Sequence, residues 1–394
     1  MTVANKVRIT LTSFLAFALM SAVISQLGVV SAAMAEQFDV DVTHTVAMFS
    51  YLTTGVLVGS FLAMFIFDPL GIKKSIVIFS CCILMCLVGL WFVQTLTAIP
   101  VFLFIIGVGC GVLLSAATVI ITWTYAEKIR PQMLLVTDSF YSSAGFTSGI
   151  LAGYLIGQGS NWATTYSLAI GIVILLLLLT SLSQYPSTVS ELENNQQPAT
   201  DIGFMNWPPA LHVTGLALLV YLITVVITYS WVPHYLSSSF NSSPEQVGGI
   251  LGRFFLGMFL GQIMTFFLAF LGRLRLLMTV LLVLATLTSS LIWLSHDINQ
   301  IGWALFLLGF FTGGCLKVLI SFGTMLTANP TARMVSFLVL CTAIGSSVAP
   351  ALSSYIVSQT SEFVAVVMIT GGYVLTLILL MVAFILSPPK PSQA

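Results

Sequence analysis

Charge is what this sequence has least of. Asp, Glu, Lys and Arg make up 6% of its 394 residues, where a soluble domain carries about 25%. Twelve basic and twelve acidic residues cancel to a formal net charge of zero. So few polar groups cannot cover a surface in water, so the outer surface faces lipid. No basic stripe is present, which argues against nucleic acid as a partner. No Gly-x-x-x-x-Gly-Lys-Ser/Thr loop is present either, which argues against ATP as the driving force and leaves a gradient. The six cysteines (Cys81, Cys82, Cys86, Cys110, Cys315 and Cys341) all fall in apolar segments without metal-ligand spacing. They read as reduced, buried thiols. Four scattered histidines supply no catalytic constellation, so neither an enzyme nor a cofactor is expected.

What the chain has is apolar length. Hydrophobic residues make up 58% of it. Runs long enough to span a bilayer, about 20 residues, occur near 10–34, 45–67, 74–94, 99–124, 132–157 and 162–183. Six more occur near 210–236, 245–270, 275–295, 300–326, 333–357 and 363–387. They are continuous rather than alternating, which predicts helices, not a barrel. The first run exceeds a signal peptide's apolar core of about 7–15 residues and is expected to stay as a helix. The expected fold is therefore all-α, with twelve transmembrane helices.

Charge position gives the orientation. Lys6, Arg8, Lys73, Lys74, Lys128, Arg130, Arg273, Arg275, Arg333 and Lys390 fall on the side of the two chain ends. The opposite loops hold Glu36, Asp39, Asp41, Glu245, Asp297 and Glu362 and no base. Basic residues stay cytoplasmic, which predicts a bacterial inner-membrane protein with both termini in the cytosol. The polar stretch at 184–209 divides an N-terminal half (1–183) from a C-terminal half (210–394) and reads as a cytoplasmic linker.

The two halves repeat one another at a fixed offset of 202. Phe38 falls on Phe240, Gly55 and Gly59 on Gly257 and Gly261, and Lys73 on Arg275. Phe104, Gly107 and Gly111 fall on Phe306, Gly309 and Gly313. Six helices repeated in the same orientation are related by an axis along the membrane normal, an arrangement of secondary transporters. A sensor that binds a solute without moving it fits the same layout, and import is not separable from efflux on sequence.

Between the second and third runs stands Asp68-Pro69-Leu70-Gly71-Ile72-Lys73-Lys74. It resembles the signature loop of the major facilitator superfamily, with Met64 where the loop opens on glycine. Ser13-Phe14-Leu15, Thr137-Asp138-Ser139-Phe140 and Ser230-Trp231-Val232-Pro233 resemble the TsgA family of that superfamily, itself similar to fucose-permease-type symporters. The resemblance implies a major facilitator fold in which the first, fourth, seventh and tenth helices line a central cavity. It implies a small-molecule substrate and a gate on the terminal side at Asp68, Lys73 and Lys74.

Ionisable groups inside a bilayer are costly and are default functional candidates. Three fall well inside the runs: Asp138, Arg253 and Lys317. Asp138 lies about two turns, roughly 9 Å, into the fifth run. It is the proton-coupling candidate, because burial disfavours a carboxyl's charged form; the alternative is a structural acid paired with a base. Lys317, near the middle of the tenth run, is expected to meet an anionic solute or to be the counter-ion of Asp138. Arg253 divides between structure and substrate contact. Gln26, Thr118, Thr122, Tyr221, Thr224, Thr228 and Tyr229 are further lining candidates. Tyr221, Thr224 and Thr228 share a face by their spacing. Pro233 is expected to break the seventh helix at a gate. Trp231 reads equally as gate or as interfacial aromatic. A monomer is the expected state.

Overall fold

The computed structural model describes residues 2–93, 95–125, 130–185, 207–269, 273–326 and 332–387. Lys128, Lys390, nearly all of the expected linker at 184–209, and the side chains of Asp68, Arg130 and Arg333 lie outside the described residues. The described chain is helical, with no strand. In lipid a backbone must satisfy its own hydrogen bonds, and helices do this within one segment.

The N-terminal half holds α1 (Val3–Ile24), α2 (Leu27–Phe38), α3 (Val42–Leu70), α4 (Ile72–Gly89), α5 (Ile99–Thr124), α6 (Arg130–Gly157) and α7 (Ser167–Ser181). The C-terminal half holds α8 (Pro209–Phe240), α9 (Pro244–Ala269), α10 (Leu274–Leu294), α11 (Ile298–Thr312), α12 (Cys315–Thr324), α13 (Ala332–Gln359) and α14 (Glu362–Ile385). The pairs α1–α2 and α11–α12 each make one crossing, so each half crosses six times. Among the described residues, eleven spans are long and apolar enough to cross a membrane by length and composition. The remaining crossing is α6, whose 28 residues are diluted by Thr137, Asp138, Ser142, Thr147 and Ser148.

The sequence repeat returns as a repeat of contacts. A methyl group on Gly55 would lie 2.4 Å from the Phe104 carbonyl oxygen, and one on Gly257 would lie 2.1 Å from that of Phe306. Gly59 meets the Val108 carbonyl at 2.0 Å, and Gly261 that of Phe310 at 1.9 Å. Gly107 meets Leu52 at 2.0 Å and Gly309 meets Phe254 at 2.0 Å. Every member of these pairs is 202 residues from its counterpart. Thus α3 lies backbone to backbone on α5, and α9 on α11, in the same register.

Two runs that read as single helices are each two. The first crossing is interrupted at Ser25–Gln26 and the tenth at Gly313–Gly314. Gly314 sits where a methyl group would fall 2.2 Å from Thr265 Oγ1 of α9, so the crossing is close and the local backbone has little helix preference. Pro233 was expected to end the seventh helix. Instead α8 continues through it to Phe240. The proline leaves the Tyr229 carbonyl without its helical donor. Gly28 of α2 packs on that spot, 2.6 Å separating its would-be methyl from both the Tyr229 and Ser230 carbonyl oxygens.

The halves meet through α6 against α9, α3 against α13, and α2 against α8. The α6–α9 and α2–α8 contacts lie toward the face opposite the termini: Gly153 on Gly248, Gly157 on Glu245, Gly28 on Pro233. Near mid-membrane, Thr54 of α3 bonds Ser347 of α13 at 2.7 Å.

Replacing Gly59 or Gly261 with Leu is expected to lower the melting temperature of the purified protein in detergent, through overpacking of about 1–3 kcal/mol. Gly171→Leu is the control, since nothing lies within 4 Å of its position. Equal melting of all three variants would remove close backbone approach as a source of stability.

Candidate functional site

One ion pair stands among the described residues, and it joins the halves. Lys317 Nζ lies 3.1 Å from Asp138 Oδ2. Asp138 is eight residues beyond the start of α6, about 12 Å along its axis. Lys317 follows the Gly313–Gly314 interruption, near the start of α12. The Lys317 side chain is 37% accessible and that of Asp138 16%. The pair is thus only partly enclosed by protein. Its worth falls between the 0–1 kcal/mol typical of exposed pairs and the several kcal/mol of buried ones, about 1–2 kcal/mol.

Aromatic residues surround the carboxylate's helix. Tyr141, one turn beyond Asp138, lies beside both Asp138 and Tyr229 of α8. The Tyr229 ring is 6.2 Å from that of Phe255 in α9. Phe140 stacks on Phe14 of α1 at 4.7 Å between centroids. Of the seventh-run candidates, Tyr229 therefore faces the junction between halves.

Gln26 stands at the other interruption. It is fully buried, and neither its amide nitrogen nor its oxygen has a hydrogen-bond partner among the described residues. Its neighbours tie it to both halves. Ser25 bonds Ser148 of α6 at 2.6 Å, and Gly28 lies against α8. A carboxamide offers donor and acceptor side by side, and burial without partners is unfavourable unless something fills them.

The structure corrects the placement of several candidates. Tyr221 donates to the Thr312 carbonyl at 2.7 Å, and its ring lies 6.2 Å from that of Tyr373. Thr224 abuts Gly372, and Thr228 bonds the Thr224 carbonyl. Their shared face therefore points into the C-terminal half, toward α11 and α14, away from the junction. Arg253 extends over Gly302 and places its guanidinium 5.8 Å from the exposed Trp303 ring, within its own half. This is a cation–π contact remote from the ion pair. Trp231 is fully buried and donates from Nε1 to Ser353 Oγ at 2.8 Å, so it does not lie in an interfacial belt. Thr118 and Thr122 are exposed on α5, each bonded to its own helix.

On the terminal side, Lys73 donates to the carbonyls of Ser181 and Ser183 at 3.1 and 2.7 Å. It thereby caps α7 in its own half, where a cation meets the negative end of the helix dipole. Lys74 is exposed. A contact missed on sequence lies at the far end of the junction: His234 Nε2 is 2.9 Å from Ser31 Oγ, α8 to α2. Only the position of His234 directly after Pro233 pointed to it.

The sequence profile described as Major Facilitator Superfamily matches residues 9–328 and 213–394, together nearly the whole chain. The chain belongs to the Major Facilitator Superfamily. It is a multi-pass membrane protein of a transporter superfamily, and not an enzyme. Among its curated relatives is a protein named TsgA homolog from Edwardsiella ictaluri (strain 93-146). The two are 28% identical over 382 residues, covering 96% of this chain and 95% of the relative. A TsgA homolog of Yersinia pseudotuberculosis serotype O:1b (strain IP 31758) is 26% identical over 378 residues, 95% of each chain. The crystal structure of the nucleoside transporter NupG superposes with a TM-score of 0.73 at 18% identity, covering 96% of this chain and 99% of that one. The transporter FucP in its outward conformation gives 0.64 at 15%, covering 97% and 99%. At these identities the structural likeness concerns the superfamily fold alone.

Asp138→Asn and Lys317→Gln are each expected to destabilise the purified protein more than the two changes together, because each alone leaves an unpaired charge. A coupling of about 1–2 kcal/mol is expected from a denaturation cycle. Strictly additive effects would dissolve the pair as an energetic unit.

Proposed function

We propose that this transporter moves a small anionic solute together with a proton by alternating access, with Asp138 as the proton carrier. The observation that carries the reading is the Lys317–Asp138 contact across the two halves. While Asp138 is charged it neutralises Lys317. When Asp138 takes a proton, Lys317 is left without a counter-ion, and the anion supplies one. Proton and anion then occupy the site as a neutral set, which is less unfavourable in lipid than either alone. The unpartnered amide of Gln26 is assigned to the polar part of the same solute. Tyr229 is assigned to the cavity wall.

The form described is read as open toward the terminal side. The α2–α8 contact and the Gly153 and Gly157 contacts of α6 with α9 lie toward the opposite face, and the partly accessible ion pair lies toward the termini. The terminal face is assigned to the cytoplasm and the membrane to the bacterial inner membrane. Ten bases against none support the first, and bacterial relatives the second. Asp68 and Lys74 are retained as components of the terminal-side gate, on the superfamily loop they occupy. A monomer suffices, because one chain supplies both members of the pair.

A thermal-shift screen of small organic anions against neutral analogues identifies the solute. In proteoliposomes, Asp138→Asn is expected to abolish accumulation driven by a pH gradient while solute counterflow persists. Unchanged accumulation would sink the proton role. Lys317→Gln is expected to weaken anion binding at least tenfold, about 1.4 kcal/mol, with little effect on a neutral analogue. Binding without any counterflow in the unaltered protein would assign the chain to sensing.

A further inference from the structure

We propose that His234 is a proton-binding site at the far end of the junction between halves, and that its protonation opens that end. This rests on the alternating-access reading but not on Asp138.

The geometry is a small latch. His234 directly follows Pro233 on α8 and is 4% exposed. Its Nε2 lies 2.9 Å from Ser31 Oγ of α2. The single hydroxyl hydrogen of Ser31 goes to the Leu27 carbonyl at 2.7 Å. The Gly28 carbonyl is a second acceptor for it at 3.3 Å, so Ser31 is assigned as the acceptor and Nε2 as the donor of a neutral ring. The Ser31 carbonyl in turn accepts from Thr45 Oγ1 at 2.9 Å, which fixes α2 to α3. Beneath the latch, Gly28 is seated against Pro233 and the Tyr229 and Ser230 carbonyls. On α8 itself, Trp231 lies 5.5 Å from the imidazole and is anchored to Ser353 of α13.

A second proton belongs on Nδ1. No hydrogen-bond partner for that atom stands among the described residues, and the ring is enclosed, so the closed form gives the cation little solvation. Separating α2 from α8 admits water to it. Protonation therefore favours the separated state, since an equilibrium shifts toward the form that binds the ligand better. Histidine is the side chain whose charge ordinarily changes in the range where such a switch is useful.

The neighbouring charges are few. Asp41, the N-cap of α3, acts on the ring. Bonds from the Thr43 hydroxyl and amide, at 2.5 and 2.7 Å, hold its carboxyl below the usual range, so it remains a fixed negative charge. His44 interacts with Asp41. Glu362 of α14 accepts from Ser238, and Glu245 of α9 from Gln158. Asp41 attracts a proton to the ring but makes no hydrogen bond to it among the described residues.

The test reads the gate and not transport. Spin labels at Glu36→Cys and Ser239→Cys, with Cys81 and Cys82 replaced by Ser, report the distance across the far face in nanodiscs without added solute. At pH 8 one short distance is expected. At pH 5.5 a longer distance is expected to rise at least threefold in population. His234→Gln, which still donates to Ser31, should keep the short distance at both pH values, and His234→Asn serves if that variant does not fold. The same distances at both pH values in the unaltered histidine protein overturn the proposal. So does a response retained in both histidine variants. A response lost in Asp138→Asn but kept in His234→Gln assigns the effect to the ion pair and overturns it as well. Loss of proton-driven uptake in Asp138→Asn, with the gate response intact, leaves this proposal standing and separates it from the coupling reading.

Discussion

Helix backbones touch directly in this protein because lipid tails are as apolar as the side chains and give helices no reason to cluster. Close approach through glycine supplies the attraction instead. The α3–α5 and α9–α11 contacts hold each half rigid by placing carbonyl oxygens where a methyl group would not fit. The same device, more loosely applied, joins the halves. Gly149 has 3.5 Å to its nearest neighbour in α9, whereas Gly153 has 2.4 Å. Gly145, deeper on the same helix, is tight again at 2.5 Å from Phe255, so the α6–α9 contact is close at both ends and relaxed at Gly149.

Against that dry packing the polar groups stand out. Most serines and threonines bond back to their own helix, as Thr224, Thr228 and Thr312 do. They soften helices without linking them. Others join separate elements, among them Lys317 with Asp138, Ser31 with His234, Ser25 with Ser148, and Thr54 with Ser347. Three of these four lie between halves. Polar bonds across the junction can exchange with water as the halves move, which packed backbone cannot do.

Legibility followed period and charge. Twelve runs, the repeat at 202 and the identity of the intramembrane charges were all readable, because each is written in composition or in constant spacing. Helix direction relative to neighbours was not. Tyr221, Thr224 and Thr228 share a face, as their spacing requires, but spacing does not say whether that face meets the other half or α14. Pro233 removes one hydrogen bond without ending α8, and Gly28 packs against the carbonyls there. The interruption at Ser25–Gln26 carries no glycine or proline, so no local signal marked it. Gln26 was noticed for its polarity, while its lack of partners is a three-dimensional fact.

The interruption at Gly313–Gly314 sets the two copies apart. In the first copy the equivalent residues are Gly111 and Val112, and α5 runs on unbroken. Ala63 stands at the position that repeats as Thr265. Where the first copy has a valine and an alanine, the second has a glycine and a threonine. One turn further, Ser115 occupies the place that repeats as Lys317. Duplication alone gives an assembly with twofold pseudosymmetry, in which a cation in one copy implies a cation in the other. The two copies are not equivalent here, nor at Asp138, whose place repeats as Leu340. A chain built from two identical first halves would keep the scaffold and lose the lysine. The first copy has its own departure, since its first crossing is interrupted at Ser25–Gln26 where α8 runs unbroken, so each copy carries one broken crossing at a different place in the shared frame.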